Sequence, residues 1–299
     1  MKRKLVKQGA ATLMVSLPSK WIKKYNLNKG DEIEVETMSQ GILLSPEKVN
    51  IKSEVKIQLK DSIESSTRTL ITSAYRGGYD RILISFNNEK QFKILENVIQ
   101  TRLIGFDIVK KGENACIVEN ITELSPNQFG NILNKVFMNI SALFKITKDR
   151  MENKRPEENY EDVENRIMQY DNFCRRVIAK RKVDEEKSEL FWSFLHLVDH
   201  GQREIYYLNK LLGSVKISKL TKELLQDAEK MFELMKQVYE TKKMELLSEG
   251  HSLNKEIFSK KGYVAIQTTR GKEAVILYHI MGSIRRFFQA NSPLTGLLL

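Results

Sequence analysis

The stretch from residue 12 to residue 25, TLMVSLPSKWIKKY, decides the fold of the N-terminal part of the chain. Leu13, Val15 and Leu17 recur at every second position, which is the period of a half-buried strand. Pro18 then favours the first turn of a short helix. Similar short signals over residues 5–44 predict the order strand, strand, helix, strand, strand. So small a segment buries little apolar surface alone, and we expect it to dimerise.

The charge of this N-terminal segment is strongly positive. The first thirty residues contain eight basic side chains and no acidic one, and the first carboxylate is Asp31. The whole chain carries +11, so the other 269 residues (299 − 30) contribute only +3 (11 − 8). A local basic segment is typical of contacts with the phosphate backbone of nucleic acid, because each neutralised phosphate releases counterions. The alternative is a charged surface that only keeps a small domain soluble.

Composition excludes several classes of protein. At 299 residues, 41% hydrophobic and 29% charged, the chain has an ordinary globular composition with room for two or three domains. Its two cysteines, Cys116 and Cys174, lie far apart, so neither a disulfide framework nor a thiolate metal site is predicted. The longest apolar run, residues 274–282, is interrupted and too short to span a bilayer. The first residues also lack the apolar core of a secretory signal. We therefore expect a cytoplasmic protein without a membrane span.

The middle of the chain alternates strand and helix signals. Residues 46–53 resemble a linker, and residues 55–121 then show the pattern β-α-β-α-β-β, punctuated by glycines. From residue 125 onward the spacing becomes helical, with helices over 129–147, 160–177 and 190–212 and a fourth closed by Gly250. A last helix or helical pair is expected over 254–290.

These patterns predict the fold class. Long helices with short connections pack as an antiparallel bundle. The sequence predicts a multidomain α+β chain, with a small dimerising β domain at residues 1–47, a small α/β module at 50–122 and a helical bundle at 124–299.

The N-terminal segment resembles a known family of DNA-binding domains. The motifs KRKLVKQG at residues 2–9, LPSKWI at 17–22 and LNKGDEI at 27–33 resemble those of the AbrB/SpoVT swapped-hairpin family, in order and in spacing. The resemblance implies an intertwined homodimer that grips double-stranded DNA through basic strand and loop residues. Carried onto this sequence, the DNA-binding candidates are Lys2, Arg3, Lys4 and Lys7, flanked by Lys20, Lys23 and Lys24.

The rest of the chain resembles, more loosely, the archaeal type of PhoU phosphate-uptake regulators. The motifs YRGGYD at residues 75–80 and LIGFDIV at 103–109, with the helix around LVDH at 197–200, carry this resemblance. PhoU bundles hold metal clusters between carboxylates four residues apart. Asp171 and Asp199 occupy such positions here, but Ile167 and Arg203 stand where the paired carboxylates are expected. An arginine repels a cation, which argues against a multinuclear site.

Two histidines leave a smaller metal site open. His196 and His200 are four residues apart on one predicted helix face, a spacing suited to one divalent metal, and Asp171 and Asp199 are the candidate further ligands. The alternative is a polar flank beside the apolar stripe. The pair Arg175-Arg176 also has two interpretations. It binds phosphate or an acidic partner, or it lies on a helix face that is exposed to solvent.

The functional hypothesis is a DNA-binding transcriptional regulator of phosphate uptake, whose helical region senses or relays phosphate status. The alternative is an adaptor that docks on a phosphate transporter or kinase and uses the N-terminal domain only to dimerise. An antitoxin-like role rests on the N-terminal domain alone. No GxSxG, Walker, GxGxxG or HExxH motif occurs, so we expect no enzyme.

Overall fold

The computed structural model describes residues 2–9, 12–38, 41–46, 53–122, 128–180, 187–213 and 215–299. The chain divides into two compact units, residues 1–52 and 53–299. Most of the predicted linker over 46–53, and the predicted start of the bundle at residue 124, lie outside the described residues. The predicted boundary between the α/β module and the bundle stays a prediction.

The first unit, called the head below, consists of two antiparallel hairpins and a short helix. Its elements are β1 (Val6–Gln8), β2 (Thr12–Met14), α1 (Ser19–Lys24), β3 (Ile33–Met38) and β4 (Gly41–Pro46). Strand β1 pairs with β2, and β3 pairs with β4. The turn before β3 is closed by the backbone N–H of Asn28, which donates to Asp31 Oδ2 at 2.6 Å, and by Gly30 at φ 98°. The predicted order of elements is confirmed.

The second unit begins with a four-stranded mixed sheet. Its elements are β5 (Glu54–Gln58), α2 (Glu64–Arg76), β6 (Arg81–Ser85), α3 (Glu89–Arg102), β7 (Phe106–Lys111) and β8 (Ala115–Asn120). The strand order is β5-β6-β8-β7, with β5 and β6 parallel and the other pairs antiparallel. Alternate residues of the strands pack with α2 and α3 into one apolar core that includes Ile82, Ile84 and Val118. The predicted β-α-β-α-β-β order is confirmed.

Helices make up the rest of the second unit. They are α4 (Phe129–Met151), α5 (Tyr160–Ala179), α6 (Ser188–Leu211), α7 (Lys219–Thr241), α8 (Leu246–Glu256), a π-helix (Ile257–Lys261), α9 (Gly262–Thr268) and α10 (Gly271–Leu298). They surround a second apolar core, which includes the fully buried rings of Phe137, Phe144, Phe194, Phe232 and Phe287. Among the described helices, none is long and apolar enough to cross a bilayer.

Two of the predicted helix ends are wrong. Helix α7 ends at Thr241 because Lys242 adopts a left-handed backbone conformation at φ 58°, and Gly250 lies inside the separate helix α8. The last helix continues beyond residue 290 to Leu298 and contains Pro293. The repeat of apolar residues does not reveal the first end, because the residue in the left-handed conformation is a lysine and not the glycine that commonly ends a helix.

Helix α5 joins the sheet module to the helical core through polar contacts. Arg176 Nη1 donates to the carbonyl oxygens of Tyr75 and Tyr79 at 3.1 and 2.7 Å, and its Nη2 donates to Asp80 Oδ1 at 2.7 Å. Both Arg175 and Arg176 are buried. The expectation of a solvated face for this pair is therefore wrong, because the module covers Arg176 and Arg175 packs against Asp171 and the Trp192 ring of α6.

Candidate nucleic-acid interface

All seven predicted DNA-binding residues lie in the head, and all are exposed. Lys2, Arg3 and Lys4 precede β1, Lys7 is the middle residue of β1, and the other three are on α1. No ion pair joins any of the seven to another described residue, and the only close contact is that of Lys24 Nζ, 5.1 Å from the centre of the Tyr25 ring. Their charges are therefore available to an anionic partner.

The strand register places Lys7 within the β1–β2 hairpin. Lys7 pairs with Leu13, between the pairs Val6 with Met14 and Gln8 with Thr12. Directly opposed residues project from the same face, so Lys7 shares a face with Leu13. Gly9 follows β1 at φ 73°, a conformation that glycine adopts without steric cost.

Helix α1 presents the second group of basic residues. Lys20, Lys23 and Lys24 are three and four residues apart, so they lie along one side of the helix. On another side, the rings of Trp21 and Tyr25 are 5.4 Å apart. The sequence therefore separates a cationic side of α1 from an aromatic one.

Within one chain, the head residues whose exposure is described form no core. None of its residues whose exposure is described is buried, and Leu13, Val35 and Ile42 are 62%, 60% and 67% exposed. Burial of apolar surface is worth about 25 cal/mol per Å², and most of that gain is missing here. The apolar faces of both hairpins are thus available to a partner.

The four candidate metal ligands lie in the second unit, on α5 and α6. Asp171 is 2% exposed, and its Oδ2 accepts hydrogen bonds from Arg175 Nε at 2.7 Å and from Arg76 Nη2 at 3.4 Å. Burial raises the pKa of the Asp171 carboxyl, and the charge of Arg175 opposes that rise. Two guanidinium groups therefore occupy positions beside this carboxylate where a cation would have to bind.

The other candidates do not complete a site. Asp199 Oδ1 accepts from Gln202 Nε2 at 3.1 Å, and the exposed rings of His196 and His200 are 4.2 Å apart. Burial, and secondarily His200, lowers the pKa of His196. Within the described part of the chain, no group of three or more His, Cys, Asp or Glu residues is arranged to hold a metal ion. The metal site stays a prediction.

Sequence reasoning missed the polar network around α5. Arg76 Nε donates to Asn172 Oδ1 at 2.6 Å, and Asn172 Nδ2 donates to the carbonyl of Arg102 at 2.9 Å. Arg102 itself pairs with Glu164 at 3.0 Å. These partners are 62 to 96 residues apart in the chain, so no local sequence pattern indicates that they interact. Arg76 and Asp80 of the YRGGYD motif both belong to this network, through Asn172 and Arg176.

Comparisons with known proteins support the family resemblance of the head. Residues 6–52 match the family described as antidote-toxin recognition MazE, bacterial antitoxin. This N-terminal part is thus a MazE/AbrB-type domain, as the sequence motifs indicated. No match to the PhoU family was found. Searches of curated proteins and of solved structures returned no match.

Proposed function

We propose that the protein is a cytoplasmic, non-enzymatic transcriptional regulator that binds double-stranded DNA as a homodimer through its head. The observation that carries the proposal is the set of seven exposed basic residues in a MazE/AbrB-type domain, without ion-pair partners in the described chain. Domains of this type commonly dimerise and bind DNA or toxins. The apolar faces left open on both hairpins support self-association.

Binding should be driven by release of counterions. Two heads bring sixteen basic side chains (2 × 8) to the duplex before carboxylates are counted. If six phosphates are contacted, log K should fall against log salt with a slope of roughly −5. Such contacts position the protein on the duplex, whereas sequence preference requires contacts with base edges.

The test is fluorescence anisotropy of labelled duplex DNA, including the protein's own promoter, at several salt concentrations. We compare the full chain with the variant in which Lys2, Arg3, Lys4 and Lys7 are alanine. A matched control replaces four exposed lysines of the second unit, Lys90, Lys93, Lys216 and Lys255, with the same change in net charge. The head variant should lose DNA binding and the dependence of log K on log salt, while the control variant keeps both. Absence of binding by the wild-type chain at low salt would refute DNA recognition and favour the adaptor hypothesis.

The finer proposal is that the second unit senses phosphate status or docks on a phosphate transporter or kinase. Its support is the resemblance of residues 50–299 to PhoU regulators, carried by the YRGGYD and LIGFDIV motifs. Adding inorganic phosphate should then change the DNA affinity more than sulfate does at equal ionic strength. Equal effects of the two anions would remove phosphate from the proposal.

The family match supports a second candidate function, that of an antitoxin. On this alternative the chain neutralises a toxin, and DNA binding only regulates its own synthesis. The alternative predicts a stable complex of fixed stoichiometry between the full chain and a toxin protein encoded beside it. If no such neighbour exists, or if it does not bind, the antitoxin role fails while DNA regulation is unaffected.

A further inference from the structure

A cavity of about 490 Å³ opens on the second unit, and none of the candidate DNA-binding or metal-binding residues lines it. One wall is α10, a second is Glu204 of α6, and the third is formed by Phe258 of the π-helix and Ile266 of α9. Its size is that of a small-molecule site, since such pockets usually enclose about 300–1,000 Å³. π-Helical turns within helices also occur frequently at functional sites.

The floor of the cavity is an apolar stripe along α10. Ala274, Leu277 and Met281 recur at helical spacing, so they line one side of the helix. The absence of a side chain at Gly282 lets Glu204 of α6 approach α10 closely, because a Cβ there would lie 3.1 Å from Glu204 Cδ. The stripe continues to Arg285, and the eleven steps from Ala274 span about 16 Å.

One end of the stripe is cationic. Arg285 and Arg286 line the cavity, and neither forms an ion pair with a described residue. The guanidinium of Arg285 lies 4.9 Å from the centre of the Phe258 ring, and Arg286 Nη1 donates to Gln289 Oε1 at 3.3 Å. The one acidic side chain that lines the cavity, Glu204, is already engaged, since its Oε2 is hydrogen-bonded to His279 Nδ1 at 2.6 Å.

The mouth of the cavity exposes apolar surface. Ile266 is 61% exposed and Tyr278 is 68% exposed, and both line the cavity. The two arginines at its cationic end outnumber Glu204, the one acidic side chain that lines it. The region thus combines a concave apolar surface with an excess of positive charge, which complements a ligand that is apolar at one end and anionic at the other.

We propose that this cavity binds an amphipathic organic anion, a carboxylate with an unbranched apolar body. The carboxylate accepts hydrogen bonds from Arg285 and Arg286, and the apolar body lies along Leu277 and Ala274 toward Ile266. Guanidinium groups suit this head group because their donors match the geometry of a carboxylate. A free acid and the acyl chain of an anionic lipid share this chemistry, and the concave shape favours the free acid.

The test is isothermal titration calorimetry of the full chain with dodecanoate below its micelle concentration. We expect saturable binding of one dodecanoate per chain and none of dodecyltrimethylammonium, which has the same chain and the opposite charge. Replacing both arginines with alanine should weaken binding about a hundredfold, at about tenfold for each lost charged hydrogen bond. Ala274→Trp, which fills the apolar end, should also weaken it. Lys272→Ala removes an exposed charge from the same helix outside the cavity, and should leave binding unchanged.

Three results would overturn the proposal. The first is that dodecanoate does not bind, and the second is that dodecyltrimethylammonium binds as tightly as dodecanoate. The third is that the arginine variant, shown by its melting temperature to be folded, binds dodecanoate as tightly as the wild type. Vesicles of phosphatidylglycerol form a further arm. Association with vesicles without binding of free dodecanoate would replace the cavity with a membrane-surface interaction. None of these outcomes depends on DNA binding by the head.

Discussion

At the scale of single residues, Arg102 and Glu164 form a buried ion pair that joins α3 to α5. Its atoms are 3.0 Å apart and its side chains are 8% and 7% exposed. Removing one partner leaves a buried charge uncompensated, which costs about 3–5 kcal/mol. We therefore expect Glu164→Ala to lower the free energy of unfolding by about that much, as measured by urea denaturation.

The control for this prediction is an exposed pair of the same chemistry. Arg68 and Glu64 are 3.3 Å apart with side chains 33% and 56% exposed, so Glu64→Ala should cost less than about 1 kcal/mol. The double variant Arg102→Met/Glu164→Leu should recover much of the loss, because it removes both charges and refills the volume. Equal costs for the two single variants would show that burial does not govern this pair.

The same residues mark the limit of prediction from sequence. The exposure of the head lysines could be predicted, because charged side chains in so small a domain have little interior in which to be buried. Burial of Arg176 could not be predicted, because its partners are 96 to 101 positions away along the chain. A pair of arginines on an amphipathic helix has the same local pattern whether water or another domain covers it.

At the scale of elements, the crossing of α6 and α10 depends on one missing side chain. A Cβ on Gly201 would lie 2.6 Å from Cε1 of the fully buried Phe287. Gly201→Ala should therefore overpack the core, which lowers the free energy of unfolding by about 1–3 kcal/mol. The higher helix propensity of alanine offsets about 1 kcal/mol of that loss. A lower midpoint of urea unfolding would confirm a net loss.

Gly130 of α4 provides the matched control, because a Cβ there would meet nothing within 4 Å. Gly130→Ala should leave stability unchanged or raise it slightly. Adding Phe287→Leu to Gly201→Ala should recover part of the loss by freeing space. If Gly201→Ala were as stable as the wild type, the close approach of the two helices would not be required.

Asp80 couples β6 to α5 and gives this contact a pH dependence. Burial raises the pKa of the Asp80 carboxyl, but Lys180, Ser53 and Arg176 together lower it below its usual value. A carboxyl with a lowered folded-state pKa stabilises the fold above its unfolded pKa of about 3.9, and this contribution is lost as pH falls through the folded pKa. Stability from Asp80 is therefore present at neutral pH and absent in strong acid.

The measurement is the difference in melting temperature between wild type and Asp80→Asn at several pH values. The difference should be largest near pH 7 and should shrink as the pH falls below about 4. Glu96→Gln, a neutralisation at an exposed position without an ion pair among the described residues, should show no such trend. A constant difference for Asp80→Asn across the pH range would refute the electrostatic account.

Element order was predictable for a physical reason. The alternation of Val55 with Ile57 and the helical spacing of the bundle arise from each element's own face, so they are readable locally. The end of α7 depends on the backbone conformation at Lys242, and the cavity depends on how α6, the π-helix, α9 and α10 meet. Neither property is encoded in the period of the apolar residues.

At the scale of the whole molecule, the exposed apolar faces of the head should determine the oligomeric state. Leu13 and Ile42 lie on different hairpins and are 62% and 67% exposed. If a second chain covers them, Leu13→Asp/Ile42→Asp places two charges in that interface and should convert a dimer to a monomer. Sedimentation velocity at micromolar concentration distinguishes the two states. Met138→Asp changes a 67% exposed residue of α4 in the same way and should leave the dimer intact.

The oligomeric state should in turn set the response of DNA binding to salt. A monomer presents one set of basic residues in place of two, so about half of the phosphate contacts are lost and the slope of log K against log salt should fall to about half. The Asp variant adds two carboxylates, one of them on the face that Lys7 shares with Leu13, so the uncharged variant Leu13→Asn/Ile42→Asn separates the loss of the dimer from the change in charge. A monomeric variant with an unchanged salt slope would mean that a single head makes all the contacts. A wild-type chain that sediments as a monomer would refute dimerisation itself.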